Sequence, residues 1–183
     1  MIQFYTTPSG RFSMVDEVAA VIDGGCRWIN LCDASRNREA LSEIMSVCRQ
    51  SDAFLVIDDD IELVKELRVH GVRLTSSAIS PRQAREQLGP HAIIGVAVST
   101  VGEIASLKGA DVDYVTVDVT ALSAVAPAAA SLQMPVVATG EVTLENMEQL
   151  IGSGAQGLGF SESVVNAPDP KEYMKTVMAK VAR

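Results

Sequence analysis

Apolar and β-branched residues gather in short runs along the whole chain: 2–7 (IQFYTT), 28–33 (WINLCD), 54–60 (FLVIDDD), 72–76 (VRLTS), 92–99 (AIIGVAVS), 114–120 (YVTVDVT), 135–141 (PVVATGE) and 157–163 (GLGFSES). Each has the length and residue types of a buried strand. Between them the pattern changes period. Segments such as MVDEVAAVIDGG at 14–25 and IELVKELRVHG at 61–71 carry apolar residues at i, i+3, i+4 and i+7, the stripe of an amphipathic helix. Glycines mark the predicted helix ends, at Gly24 or Gly25, Gly71, Gly89, Gly109 and Gly154. Ser80-Pro81 and Thr143 with Asn146 supply cap residues for two helix starts.

Strands alternating with helices imply right-handed crossovers and a parallel sheet. Eight such units, with strands apolar enough to be buried on both faces, predict a compact (β/α)₈ TIM barrel spanning 1–183 as a single domain. The alternative is an open doubly wound sheet, which no glycine-rich dinucleotide fingerprint supports. At 183 residues, 48% hydrophobic and 21% charged, the chain can bury a core without covalent staples. Its three cysteines, Cys26, Cys32 and Cys48, form no CxxC pair, so neither a disulfide framework nor a zinc knuckle is expected. No apolar run approaches the ~18 residues of a membrane span, and the N-terminal residues lack the signature of an export signal. A cytoplasmic protein with no membrane partner is expected. The net charge of −8 and the scattered basic residues argue against nucleic acid as a partner.

A barrel of this kind builds its site at the C-terminal ends of the strands. Those ends carry Thr6, Thr7, Asn30, Cys32, Asp33, Asp58, Asp59, Asp60, Arg73, Thr75, Ser76, Ser99, Asp118, Thr120, Thr139, Glu141, Ser161, Glu162 and Ser163, with Gly140 beside Glu141. Acids dominate, and Arg73 is their one base. Both histidines, His70 and His91, precede strands and fall on the opposite face; all five lysines fall on helices, which excludes a Schiff-base aldolase. The run Asp58-Asp59-Asp60 is the sharpest local feature, because adjacent carboxylates repel unless a cation joins them. Asp58 and Asp59 are therefore candidate ligands for magnesium, a hard cation suited to oxygen donors. The alternative is that these acids cap the helix starting at Ile61 or pair with Arg73. Cys32 is a candidate nucleophile, Asp33 and Asp118 are candidate acid or base groups, and Asp59 is a candidate catalytic carboxylate acting with a metal.

Several stretches, taken in order, resemble the thiamine phosphate synthase family and its thiazole tautomerase (TenI-like) branch. The strongest is 71–100, GVRLTSSAISPRQAREQLGPHAIIGVAVST, joined by GGCRWINLCD, GADVDYVTVD and MPVVATGEVTLENMEQLIGSGAQGLGFSES. The resemblance covers about 140 residues. It implies a small barrel acting in thiamine metabolism, with magnesium as cofactor and a small-molecule substrate. It also implies where the chain departs from the family. The second-strand Q-x-R-x-K that grips a pyrophosphate stands as Asn30, Cys32 and Ala34, and the third-strand N-D-R stands as Asp58, Asp59 and Asp60. A second magnesium aspartate falls on Ala78, and the histidine after the fifth strand falls on Ser99. The seventh-loop Gly-Gly stands as Gly140-Glu141, and the eighth-loop serine as Ser161 or Glu162. Substrate contacts are accordingly expected from Asn30, Arg73, Ser99, Asp118, Gly140, Glu141, Ser161 and Glu162. Two functions remain open: a divergent enzyme of thiamine metabolism, or a catalytically inactive binding or regulatory barrel. The corresponding assemblies are a homodimer or a pairing with a full-length synthase.

Overall fold

Strands rich in Val, Ile and Leu hide their side chains on both faces when helices cover both, or when helices cover one face and the strands close around the other. The computed structural model describes residues 1–32 and 38–182. Its elements run β1 (Ile2–Tyr5), α1 (Met14–Asp23), β2 (Trp28–Leu31), α2 (Arg38–Gln50), β3 (Phe54–Asp58), α3 (Ile61–Leu67), β4 (Gly71–Leu74), α4 (Pro81–Leu88) and β5 (Ile93–Val98). They continue as α5 (Val101–Ser106), β6 (Tyr114–Asp118), α6 (Leu122–Ser131), β7 (Val136–Thr139), α7 (Met147–Gly152), β8 (Gly157–Phe160), α8 (Glu162–Val165) and α9 (Pro170–Val181). Every strand pairs in parallel with its sequence neighbours, and β1 closes the ring on β8. This is a closed (β/α)₈ barrel, and the open-sheet alternative does not hold.

Local signals set the helix ends. Ser80 and Thr100 form complete capping boxes with Gln83 and Glu103, and Pro81 opens α4 at its first turn. Two expectations need correction. Gly71 is not a helix cap: α3 ends on Arg68, in the left-handed conformation at φ 52°, and Gly71 begins β4. A Cβ on Gly71 would lie 2.0 Å from the Ile93 carbonyl oxygen, so the residue is small for close strand packing. Thr143 begins a turn rather than a helix, since α7 starts at Met147 after Asn146 Oδ1 accepts from the Thr143 amide at 2.9 Å.

Alternation along the strands sorts side chains between two interiors. Phe4, Ile29, Leu31, Leu55, Ile57, Val72, Val115, Val117 and Leu158 join the core cluster with the helices. The intervening positions face the barrel axis, and several of them are polar. Tyr5 Oη donates to Gln3 Oε1 at 2.5 Å, Asn30 Nδ2 donates to the same oxygen at 3.1 Å, and Tyr114 Oη donates to Asn30 Oδ1 at 3.4 Å. The last bond runs from β6 to β2, which are not neighbours, so it crosses the barrel. Glycine makes room for both tyrosine rings: a Cβ on Gly95 would sit 2.4 Å from Tyr114 Cζ, and one on Gly159 2.5 Å from Tyr5 Cε2.

Candidate functional site

The three consecutive aspartates end up with three different partners. Asp58, at the end of β3, receives the Arg73 guanidinium of β4 in a bidentate pair, Nε to Oδ1 at 2.8 Å and Nη2 to Oδ2 at 2.5 Å. Both side chains are only 12% exposed. Arg73 also lies over the Tyr5 ring, 4.5 Å from its centroid, and points Nη2 at Cys32 Sγ at 3.8 Å. Asp59 adopts φ 55° and turns toward β4, where its carboxylate accepts from the Thr75 amide at 2.8 Å and from the Thr75 hydroxyl. Asp60 caps α3 by accepting from the Leu63 amide at 2.8 Å. Pairing with Arg73 and capping, the two alternatives to a metal, are thus both present.

Magnesium finds no ready ligand set in this arrangement. Both Asp58 oxygens bond Arg73, both Asp59 oxygens bond Thr75, and Asp60 holds a helix end. Among the described residues, no three His, Cys, Asp or Glu side chains converge to hold a metal ion. The expected metal pair Asp58 and Asp59 therefore does not fit the ion as the chain stands.

Cys32 does not have the character of a nucleophile. Burial, followed by the neighbouring Asp58 charge, pushes its thiol up to about 12, so the reactive thiolate is scarce near neutral pH. Asn30 is likewise removed from substrate: it is fully buried and its amide is spent on Gln3 and Tyr114. Ser99 serves a helix start, its amide and hydroxyl both donating to Glu103 Oε2 at 2.7 and 3.2 Å. Asp33 lies outside the described residues.

The remaining expected residues gather on the far side of the mouth. Gly140, Glu141, Ser161 and Glu162 line one cavity of about 480 Å³ together with Val142, Thr143, Ser163 and Asn166. Ser163 is among the strand-end candidates, whereas Val142, Thr143 and Asn166 were not foreseen at the site, because their contribution comes from loop closure rather than from strand ends. Ser163 Oγ donates to the Val142 carbonyl at 2.7 Å, and Asn166 is the C-cap of the short α8 that carries Ser163. Asp118 stands beside this cavity. Its Oδ1 accepts from the Thr120 amide and hydroxyl at 2.9 and 2.6 Å, while Oδ2 lies 2.3 Å from where a Cβ on Gly140 would be. Gly140, at φ 92°, is therefore required both by its backbone conformation and by the carboxylate against it. The side chains of Asp118, Glu141 and Glu162 are exposed at the rim, whereas the guanidinium of Arg73 is sunk in the barrel and neutralised. The mouth thus offers hydroxyls, loop amides and carboxylates.

A family model described as thiamine monophosphate synthase matches residues 5–164. Thiamine-phosphate synthase of Phocaeicola vulgatus is 30% identical over 200 residues, covering 97% of this chain and 96% of that protein. The synthase of Bacteroides fragilis is 27% identical over 199 residues, with 97% and 98% covered. Among solved structures, thiamine phosphate pyrophosphorylase from Pyrococcus furiosus superposes with a TM-score of 0.86 at 20% identity, covering 99% of this chain and 95% of that one.

Proposed function

The chain belongs to the thiamine monophosphate synthase family, and on that premise we propose that it is a barrel of thiamine metabolism that binds a small heterocyclic ligand at its mouth without catalysing diphosphate displacement. The observation that carries this reading is the Arg73–Asp58 pair. Arg73 is the one basic residue expected at the strand ends, and its charge is committed to a carboxylate 2.5 Å away. A leaving diphosphate needs cations in the transition state, where each charge-assisted contact contributes about 1.5–3 kcal/mol. Cys32 and Ala34 stand where the family resemblance implies two cations. Losing both lowers the rate of such a step by about 10²–10⁴-fold. The ligand is accordingly neutral or cationic, held by the hydroxyls and carboxylates of the seventh and eighth loops.

The test is a coupling assay with aminopyrimidine diphosphate, thiazole phosphate and magnesium, run beside the Bacteroides fragilis relative. Turnover at least about 10²-fold below that relative is expected. Thiamine phosphate formed at a comparable rate overturns the reading.

A further inference from the structure

We propose that the face of the barrel opposite the mouth carries a second binding site, for a small flat aromatic molecule bearing an anionic group. A cavity of about 450 Å³ opens there between α3, α4 and the N-terminal ends of β3 to β5. Its size lies within the range of small-molecule sites, about 300–1,000 Å³. The walls are apolar, from Val64, Leu88 and Ile93, and Phe54 leaves 43% of its surface exposed among them. The Phe54 ring stands edge-on to His70 with centroids 5.1 Å apart, and lies tilted by 39° against Trp28 at 5.3 Å. A fixed, half-exposed aromatic ring in a concavity suits a flat apolar partner.

The polar groups of the same cavity are Lys65, Arg68, His70, Gln87 and His91, with no carboxylate among the lining residues. In a chain of net charge −8, this gathers both histidines and two of the fifteen cations around one cavity. Lys65 is partly committed, to Glu62 at 2.5 Å and to Gln87 at 3.4 Å. The Arg68 guanidinium has no ion pair or hydrogen bond among the described residues. Arg68 also occupies a left-handed helix cap at φ 52°, a position that favours glycine, so the arginine is held there against its backbone preference. His70 Nδ1 accepts from the Leu55 amide at 3.0 Å, which leaves the proton of the neutral ring on Nε2 as a donor. The combination of an aromatic wall with an uncommitted guanidinium and imidazole donors matches an aromatic anion rather than a bare anion or a neutral ring.

The experiment titrates the full chain with three probes: 8-anilinonaphthalene-1-sulfonate, its uncharged analogue N-phenyl-1-naphthylamine, and inorganic phosphate. Fluorescence and NMR shifts are the readouts. Saturable binding of the sulfonate is expected, with shifts at Phe54, His70 and His91. The uncharged analogue and phosphate should each bind about tenfold more weakly or worse. Arg68→Gly should cut sulfonate affinity by about tenfold while leaving Tm unchanged or raised, because glycine accepts the left-handed cap without strain. Shifts confined to the mouth around Glu141 and Ser161, undiminished binding by Arg68→Gly, or equal affinity for the uncharged analogue each overturn the proposal. So does sedimentation showing that a second copy of the chain fills this face through Phe54.

Discussion

Arg73 and Asp58 are largely withdrawn from solvent together, and each is stabilised inside the barrel by the other. Removing one partner of a buried ion pair leaves an uncompensated charge, whereas removing both with apolar groups of similar volume is often neutral or better. Arg73→Met should therefore destabilise the fold by about 3–5 kcal/mol, while Arg73→Met combined with Asp58→Leu should recover most of that loss. Urea denaturation of the two singles and the double gives the coupling directly. Additive losses would mean that the pair contributes little and that Tyr5 and Cys32 hold the arginine by packing alone. Burial first, and then the Asp58 charge that anchors Arg73, disfavour a thiolate at Cys32.

At the scale of elements, the seventh and eighth loops form one unit, tied by the Ser163 hydroxyl on the Val142 carbonyl at 2.7 Å. Glu141 and Glu162 line the cavity between them, and their negative charge opposes any anion seated on the loop amides. Free sulfate or phosphate should leave the NMR signals of this cavity unmoved at millimolar concentration, whereas Glu141→Gly with Glu162→Ser should make them titrate. Saturable shifts in the unmodified chain would show that the glutamates turn away from the seat. Much of this arrangement was legible beforehand. The strand–helix alternation predicted the barrel, and Asp60 was readable as a cap because the helix begins one residue later. The polar axis of Gln3, Tyr5, Asn30 and Tyr114 was not legible. When both faces of a strand are buried, a period of two separates the faces without saying which one meets the helices. Asn30 was misplaced for a related reason: it lies one residue inside the end of β2, so it joins the axis instead of the rim. Val142, Thr143 and Asn166 depend on how two loops close, which local pattern does not encode, whereas Ser163 was readable as a strand-end residue.

Across the whole molecule, the barrel separates its charges: carboxylates crowd the mouth, and both histidines sit at the other end. That polarity makes stability depend on pH through the histidine end. Burial holds the His70 imidazole below its ordinary value of 6.5. Burial opposes the charged ring, and the hydrogen bond with the Leu55 backbone acts in the other direction. Because the folded-state value is depressed, the unfolded chain binds the proton first as pH falls. The His70 contribution is therefore complete above about pH 6.5 and is lost as pH drops through the lower folded value. His70→Gln keeps a side-chain acceptor for the Leu55 amide but cannot titrate, so it separates this effect from the lost contact. Thermal unfolding between pH 5 and pH 7.5 should show wild type losing Tm relative to His70→Gln on acidification, with the gap closing or reversing toward pH 5. A difference between the two that stays constant across this range would place the acid sensitivity elsewhere, and would mean that folding leaves the His70 proton equilibrium unchanged.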